Sequence, residues 1–182
     1  MDIYLYLCEV NRINWRMLNK NGTICKQIIK TFLSITGLSA DNLEYKISEV
    51  PHLPYSKPKG QSAIYIFIYK NVCLKVGKAG PNSYARFNSH HYCNNKTKSS
   101  LFGSILKNKL MLKNINGDRD STEIANLNED SLGKWIKENT SRCDILIKES
   151  DKFSLNLLEA LAQYYFKPVY EGKDWLKPAP NN

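Results

Sequence analysis

Two short stretches in the first half of the chain alternate two kinds of side chain. In residues 62–69, aliphatic residues alternate with aromatic ones: Ile64, Tyr65, Ile66, Phe67, Ile68 and Tyr69. Residues 72–77 repeat the alternation, and a period of two predicts β-strands with two different faces. If the strands form a hairpin, keeping the aliphatic sets together requires an odd-numbered loop, such as residues 70–72. Tyr65 and Lys75 then share the other face, whereas a two-residue loop would separate them.

A turn and a short helix are predicted next. The glycines and proline of residues 77–81 interrupt the second strand. Asn82 or Ser83 suits the N-cap of a helix that begins immediately afterwards. On that helix Arg86 and His90 are four residues apart and are expected to lie on one face. A phenol, two cations and an imidazole are therefore expected on one small surface.

The second half of the chain predicts a third strand over residues 142–148 and a nearly apolar, mostly buried helix over residues 152–167. The polar residues of this helix form one narrow stripe: Lys152, Asn156, Glu159, Gln163 and Lys167. Glu159 lies in the middle of the stripe. Burying a carboxylate is costly unless water, a cation or a metal ion meets it.

The chain divides into a mainly helical N-terminal element, residues 1–55, and a second unit, residues 56–182. In the first, a helix over residues 23–35 starts after Gly22 and ends at Gly37, while residues 1–19 fit either a strand or a helix. This element is expected to serve as a recognition or dimerisation arm, or merely to cover one side of the sheet. In the second, helices are predicted from a cap at Ser100 through residue 110, and over residues 130–139.

Charge is concentrated in the middle of the chain. Residues 51–113 contain eleven Lys and Arg and no Asp or Glu, whereas the flanking segments hold six basic with five acidic and nine basic with twelve acidic residues. This distribution suits a polyanion such as nucleic acid, although a basic surface alone also serves solubility. Lys96 and Lys98 lie in a polar stretch where they are expected to contact backbone phosphates.

Cysteine usage and hydropathy predict a cytoplasmic protein with no membrane segment. The five cysteines contain no Cys-x-x-Cys pair, which favours a reducing compartment over a disulfide framework or a structural zinc site. The chain also has no apolar run of membrane-spanning length and no basic segment typical of a secretory signal.

The ordered set of polar residues resembles the GIY-YIG nuclease family. The resemblance rests on Tyr-Ile-Phe at 65–67, Val-Gly at 76–77, Arg86 with His90, and a lone Glu159 on a later helix, and it spans residues 61–172. Ala occupies position 63 in place of the first motif glycine. Lys occupies position 75 in place of the second motif tyrosine, as in some restriction endonucleases of this family.

The resemblance implies an α+β fold with a small three-stranded sheet, whose first two strands form an antiparallel hairpin packed with helices. It implies a DNA endonuclease that uses one Mg²⁺ ion, with Mn²⁺ able to substitute, and leaves 5′-phosphate and 3′-hydroxyl ends. A restriction or defence role is expected from the short chain. One site cuts one strand, so a double-strand break would need a homodimer or sequential nicks.

Each residue of the set has an expected chemical role. Glu159 would hold the metal ion, and Arg86 would bind the scissile phosphate as a bidentate fork. Tyr65 would contact or deprotonate the attacking water, but a phenol with a pKa of about 10 needs a nearby cation to do so. Lys75 is that cation, or is itself the proton acceptor. In addition, His90 would orient water or phosphate.

Lys78, Lys96 and Lys98 complete the set as further phosphate contacts. Taken singly, these residues have plainer interpretations, such as a cross-strand pair of Tyr65 with Lys75 or a solvent-facing Glu159. The alternative function is a non-catalytic basic protein that binds nucleic acid, and a third is a structural or protein-interaction domain.

Overall fold

The computed structural model describes residues 3–94, 100–117, 122–148 and 151–171, with side chains from residue 20 onward. A long helix, α1 (Ile3–Thr36), comes first. It is followed by Gly37 with a φ of +69°, the left-handed conformation that glycine commonly adopts after a helix. The predicted stop at Gly37 is confirmed. The predicted start after Gly22 is wrong, because α1 continues through that glycine.

Four strands form one antiparallel sheet in the order β1-β4-β2-β3. Their bounds are β1 (Leu43–Ser48), β2 (Ser62–Tyr69), β3 (Val72–Ala79) and β4 (Ser141–Ile147). A one-turn 3₁₀ helix, Ala40–Asn42, leads into β1. The α+β class is confirmed, but the three-stranded sheet is corrected to four strands, because β1 comes from the segment predicted to be mainly helical.

The hairpin of β2 and β3 has a two-residue turn. Residues 70–71 both have positive φ, as a type I′ turn requires, so the predicted odd-numbered loop is wrong. A β-bulge then shifts the pairing of the two strands by one residue. Ile68 pairs with Cys73 and Phe67 pairs with Lys75, so Leu74 is the extra residue of the bulge. The bulge returns Tyr65 and Lys75 to one face of the sheet, as predicted.

Helices cover both faces of the sheet. The face that carries the β2 aromatic residues is packed against five short helices: α2 (Tyr84–Asn88), α3 (Leu101–Lys107), α4 (Leu110–Asn116), α5 (Thr122–Ala125) and α6 (Leu132–Asn139). The aliphatic face is packed against α1 and α7 (Lys152–Phe166). Every residue of β2 is buried, because both of its faces are covered.

Several predicted helices and caps are confirmed. Ser100 caps α3 and accepts the N–H of Gly103, but the helix predicted through residue 110 breaks at Asn108 before α4 begins. Helix α6 and strand β4 lie within two residues of their predicted bounds. Helix α7 also agrees with its prediction. It is less buried than expected, since Phe153 near its start is 81% exposed.

The segments on either side of residue 55 share one sheet and one apolar cluster. Strand β1 pairs with β4, and Phe32 of α1 lies in the same cluster as Ile64 and Leu158. The division into units at residues 55 and 56 stays a prediction. Among the residues that the structure describes, no helix is both long enough and apolar enough to cross a membrane.

Candidate active site at the β3 edge

Tyr65 is fully buried and lies between Gly77 of β3 and Asp144 of β4 in the register of the sheet. Its ring lies over Gly77, so that a Cβ atom added there would be 2.5 Å from the Tyr65 hydroxyl oxygen. Carbon and oxygen atoms cannot approach so closely without a bond, and only glycine leaves this space open. Gly77 therefore belongs to strand β3 and makes room for the phenol.

Arg86 reaches this phenol from helix α2. Its Nε–H donates to the Tyr65 hydroxyl at 3.3 Å, and its side chain is otherwise exposed. Ser83 occupies the N-cap position of α2, as predicted, although its side chain makes no capping hydrogen bond. The helix is held by buried Phe87, whose ring lies 4.3 Å from the guanidinium carbon of Arg142. The predicted meeting of Tyr65 and Arg86 is therefore present.

His90 does not lie on the predicted helical face. Helix α2 ends at Asn88, and the His90 N–H bonds to the Ala85 carbonyl at 2.9 Å in the turn that follows. The prediction that Arg86 and His90 share a face of one helix is wrong, because the helix is only five residues long. The next residue, His91, is buried and accepts the Leu101 N–H at its Nδ1 atom.

Glu159 approaches the site from helix α7. Its Oε2 atom lies 2.6 Å from the Lys78 ammonium, and the Asn156 Oδ1 atom also lies 2.6 Å from that ammonium. The three-residue spacing on α7 puts the amide and the carboxylate on one face. The predicted polar stripe thus meets β3, and it brings two hard oxygen atoms around one positive charge.

Electrostatics link Glu159 to the phenol. Burial raises the pKa of Tyr65, the positive charge of Arg86 lowers it, and the negative charge of Glu159 raises it again. Since the net shift is upward from about 10, Tyr65 is a neutral phenol near neutral pH. The Tyr65 phenol is therefore within the electrostatic influence of both Arg86 and Glu159.

Lys75 shares the Tyr65 face, but its ammonium bonds elsewhere. It forms a 2.8 Å ion pair with Glu171 and also lies 3.5 Å from the Tyr170 carbonyl oxygen. The C-terminal segment is held against β3 by backbone bonds from Val169 and Tyr170, which donate to strand carbonyls. The positive charges of Arg86 and Arg142 lower the pKa of Tyr65, in opposition to the upward shift that its burial causes.

A cleft of about 590 Å³ opens beside these residues, between the turn after β3 and the start of α7. Lys78 and Arg86 both line it, together with Asn156 and Lys152. The two cations predicted to contact phosphate therefore face the same space. Lys96 and Lys98, predicted as further phosphate contacts, lie outside the described residues.

A buried polar network supports Tyr65 from the side of β4. Arg142 and Asp144 form a 2.8 Å ion pair with almost no exposure to solvent, and Arg142 also donates to the Tyr92 hydroxyl at 3.1 Å. Tyr92 bonds to His52, and Tyr55 donates to the second oxygen of Asp144. These hydrogen bonds hold the Arg142 guanidinium near the Tyr65 ring, with its central carbon 5.8 Å from the ring centroid.

Neither this network nor the role of Asn156 was predicted from the sequence. A signal for the network was present, since Arg142 and Asp144 lie two residues apart on a predicted strand and must share one face with Leu146. The signal for Asn156 was its place in the polar stripe of α7. Neither signal says which partner each side chain meets, because that depends on elements distant in the chain.

The donor chemistry at Glu159 suits a hard divalent cation. A carboxylate and an amide oxygen are ligands that Mg²⁺ and Mn²⁺ accept, and the Lys78 ammonium lies between these two oxygens. Among the described residues, no group of three or more His, Cys, Asp and Glu side chains could hold a metal ion. An ion here would therefore draw most of its ligands from water and from the substrate.

Comparison with known proteins does not assign the chain to a family. No protein-family profile, no curated protein and no solved structure matches the chain.

Proposed function

We propose that this protein is a divalent-metal-dependent DNA endonuclease of the GIY-YIG type. The observation that carries the proposal is that Arg86, bound to Tyr65, and Lys78, bound to Glu159, line the same cleft. A guanidinium and an ammonium can neutralise charge on a phosphate, a carboxylate can hold a metal ion, and a phenol can orient water, which are all useful in phosphodiester hydrolysis. The proposed substrate is DNA, cut one strand at a time.

Arg86 and Lys78 bind the phosphate in this proposal. Both side chains line the cleft, and the guanidinium of Arg86 can present two parallel N–H groups to two phosphate oxygens. The hydrogen bond from Arg86 to Tyr65 places the phosphate next to the phenol. Arg86 thus positions the substrate and neutralises charge that develops on it.

Tyr65 contacts the attacking water in this proposal. Its hydroxyl accepts a hydrogen bond from Arg86, and its ring lies over Gly77 with the Arg142 guanidinium carbon 5.8 Å from the ring centroid. The alternative acceptor, Lys75, has its ammonium engaged by Glu171. This arrangement favours Tyr65 as the group that orients the water and Lys75 as a residue that holds the C-terminal segment against β3.

Glu159, with Asn156, would hold Mg²⁺ or Mn²⁺. The ion supplies neutralisation of the phosphate charge and acidification of a bound water. Helix α7 fixes both ligands, since Leu155 and Leu158 bury themselves in the aliphatic core and leave the polar stripe facing β3. His90 follows α2 in the chain, and in this proposal it orients water or phosphate.

A non-catalytic nucleic-acid-binding protein is the second candidate. The observation that favours it is the engagement of both carboxylates near β3, with Glu159 bound to Lys78 and Glu171 bound to Lys75. Ion pairs of this kind also occur in purely structural surfaces. In that case the basic cleft binds DNA or RNA in a salt-dependent manner, and no bond is cut.

Incubation of supercoiled plasmid with the purified protein and Mg²⁺ or Mn²⁺ separates the two candidates. The endonuclease proposal expects conversion to nicked and then linear DNA, which EDTA abolishes. Salt-sensitive binding without cleavage across a range of pH and ionic strength would support the second candidate. Sequencing of the cut ends would then tell site-specific restriction from general degradation.

A further inference from the structure

Lys78 occupies the position between the two oxygen ligands of α7. Its Nζ atom lies 2.6 Å from both the Asn156 Oδ1 and the Glu159 Oε2 atoms. Each distance is that of a short, charge-assisted hydrogen bond. A single ammonium thus satisfies the same two oxygen atoms that a divalent ion would use.

The three residues meet because two rigid elements hold them. Lys78 lies on β3 opposite Ile64, within the hydrogen-bonded part of the hairpin. Leu155 and Leu158 anchor the first turns of α7 in the aliphatic core, so the oxygens of Asn156 and Glu159 point back to the strand. The contact is therefore a feature of the fold and not of a loose surface side chain.

The ion pair is nevertheless easy to break. Its side chains are 35% and 19% exposed, unlike the fully buried pair of Arg142 and Asp144. Ion pairs with this degree of exposure contribute little to the free energy of folding, because water competes with them. Lys78 also lines the cleft that Arg86 lines. Its ammonium can therefore bind a phosphate that enters the cleft instead of Glu159 and Asn156.

We propose that Lys78 is a built-in competitor for a metal site formed by Glu159 and Asn156, and that a phosphate in the cleft draws it away. The biological role of this competition rests on the proposed nuclease function, whereas the test of the competition does not. The order of binding follows from it. DNA binds first, Lys78 moves to the phosphate, and the freed oxygens take the divalent ion.

Free Mn²⁺ measured by electron paramagnetic resonance, with no DNA present, tests the competition directly. Lys78→Met removes the competing charge and is expected to bind Mn²⁺ at least about tenfold more tightly than the wild type. Lys134→Met is the matched control, since it removes a lysine from an exposed ion pair on α6 and should leave Mn²⁺ affinity unchanged. Equal affinities for Lys78→Met and wild type would overturn the proposal.

The ligands are tested in the Lys78→Met background. There Asn156→Leu is expected to weaken Mn²⁺ binding severalfold, and Glu159→Gln to abolish the gain entirely. In the wild-type background Asn156→Leu has two opposing effects, because Asn156 also holds Lys78. If the tighter binding persists after Glu159→Gln, the ion sits elsewhere and the proposal is wrong. Lys78→Gln replaces Lys78→Met if that variant shows a lost thermal transition.

DNA binding in EDTA gives a second readout that needs neither metal nor activity. Glu159→Gln frees Lys78 for phosphate, so a labelled duplex should bind more tightly than it does to Glu138→Gln, which removes a carboxylate on α6. The extra gain should vanish when Lys78→Met is added, as a double-mutant cycle. A gain that survives the loss of Lys78 would contradict the proposal.

The two proposals fail separately. Plasmid that stays intact, together with tighter Mn²⁺ binding by Lys78→Met, would refute the nuclease and support the competition. Cleaved plasmid, together with unchanged Mn²⁺ affinity in Lys78→Met, would refute the competition and support the nuclease.

Discussion

At the scale of single residues, Gly77 decides where the Tyr65 phenol lies. Glycine appears in the sequence as a turn signal, and Gly77 was predicted to help break the second strand. In the structure it continues β3, and its missing side chain is the space that the Tyr65 ring occupies. Alternation in a sequence gives the face on which a tyrosine lies. It does not give the direction in which the ring leans, which is why this role of Gly77 was missed.

Replacement of Gly77 by alanine should displace Tyr65. The new methyl group would overlap the phenol oxygen and two ring carbons, so the ring must move and lose its bond to Arg86. We expect the plasmid-nicking rate to fall by about 10²-fold, because misplacement of a reacting group by about 1 Å has effects of this size. Urea unfolding should also show a loss of about 1 to 3 kcal/mol from overpacking.

Gly22→Ala is the control for this substitution. Position 22 lies inside helix α1, and an added Cβ atom there would make an ordinary contact of 3.5 Å with Ile47. Its nicking rate should equal that of the wild type. Equal rates for Gly77→Ala and Gly22→Ala would show that the position of Tyr65 does not matter for activity.

At the scale of elements, strands and long helices follow from periodicity, and their pairing does not. The alternation of β2, the polar stripe of α7 and the cap at Ser100 were all predictable from local pattern. The β-bulge was not, because an extra residue in one strand leaves the alternation of the other unchanged. Strand β1 shows the same alternation, with Leu43, Tyr45 and Ile47 between polar residues, but its short segment was included in the N-terminal element predicted to be mainly helical.

Strand β4 carries the buried charges that support the site. Asp144→Asn should lower the free energy of unfolding by about 3 to 5 kcal/mol, because it leaves the Arg142 guanidinium buried without its charged partner. Glu138→Gln breaks an exposed ion pair on α6 and should cost less than about 1 kcal/mol. Chemical denaturation of both variants measures the difference. Similar losses would contradict the assignment of Arg142 and Asp144 as a buried pair.

At the scale of the whole molecule, the site lies where the two faces of the sheet meet at β3. Glu159 arrives with α7 from the aliphatic face, and Tyr65 belongs to the aromatic face. Both reach β3 at the end of the strand order, where Gly77 leaves room for the phenol and Lys78 binds Glu159. The sequence predicted that Tyr65 would meet Arg86, and that Glu159 would need a polar or charged partner. It could not predict that Tyr65 and Glu159 arrive from opposite faces, since that depends on the packing of α7.

The aromatic face also predicts how stability depends on pH. Burial lowers the pKa of His91 well below its usual value, and nearby cations such as Arg142 lower it further. The unfolded chain binds a proton at this residue below about pH 6.5, whereas the folded chain does not. Stability should therefore fall as the pH drops below 6.5, by up to about 1.4 kcal/mol per pH unit for this histidine.

His91→Asn tests that dependence. Asparagine keeps an acceptor for the Leu101 N–H and does not titrate, so the slope of unfolding free energy against pH should decrease between about pH 6.5 and 5. Glu138→Gln leaves the histidines in place and should keep the wild-type slope. A slope that His91→Asn leaves unchanged would mean that His91 is protonated in the folded protein.

The most direct test of the central claim is the initial rate of plasmid nicking in Mg²⁺ for the wild type, Glu159→Gln and Glu138→Gln. Both variants lose one carboxylate, but only Glu159 lies beside Lys78 and within electrostatic reach of Tyr65. If Glu159 holds the metal ion, Glu159→Gln should lose at least about 10³-fold in rate while Glu138→Gln stays near the wild type. Equal rates for all three proteins, or no nicking by the wild type, would contradict the account.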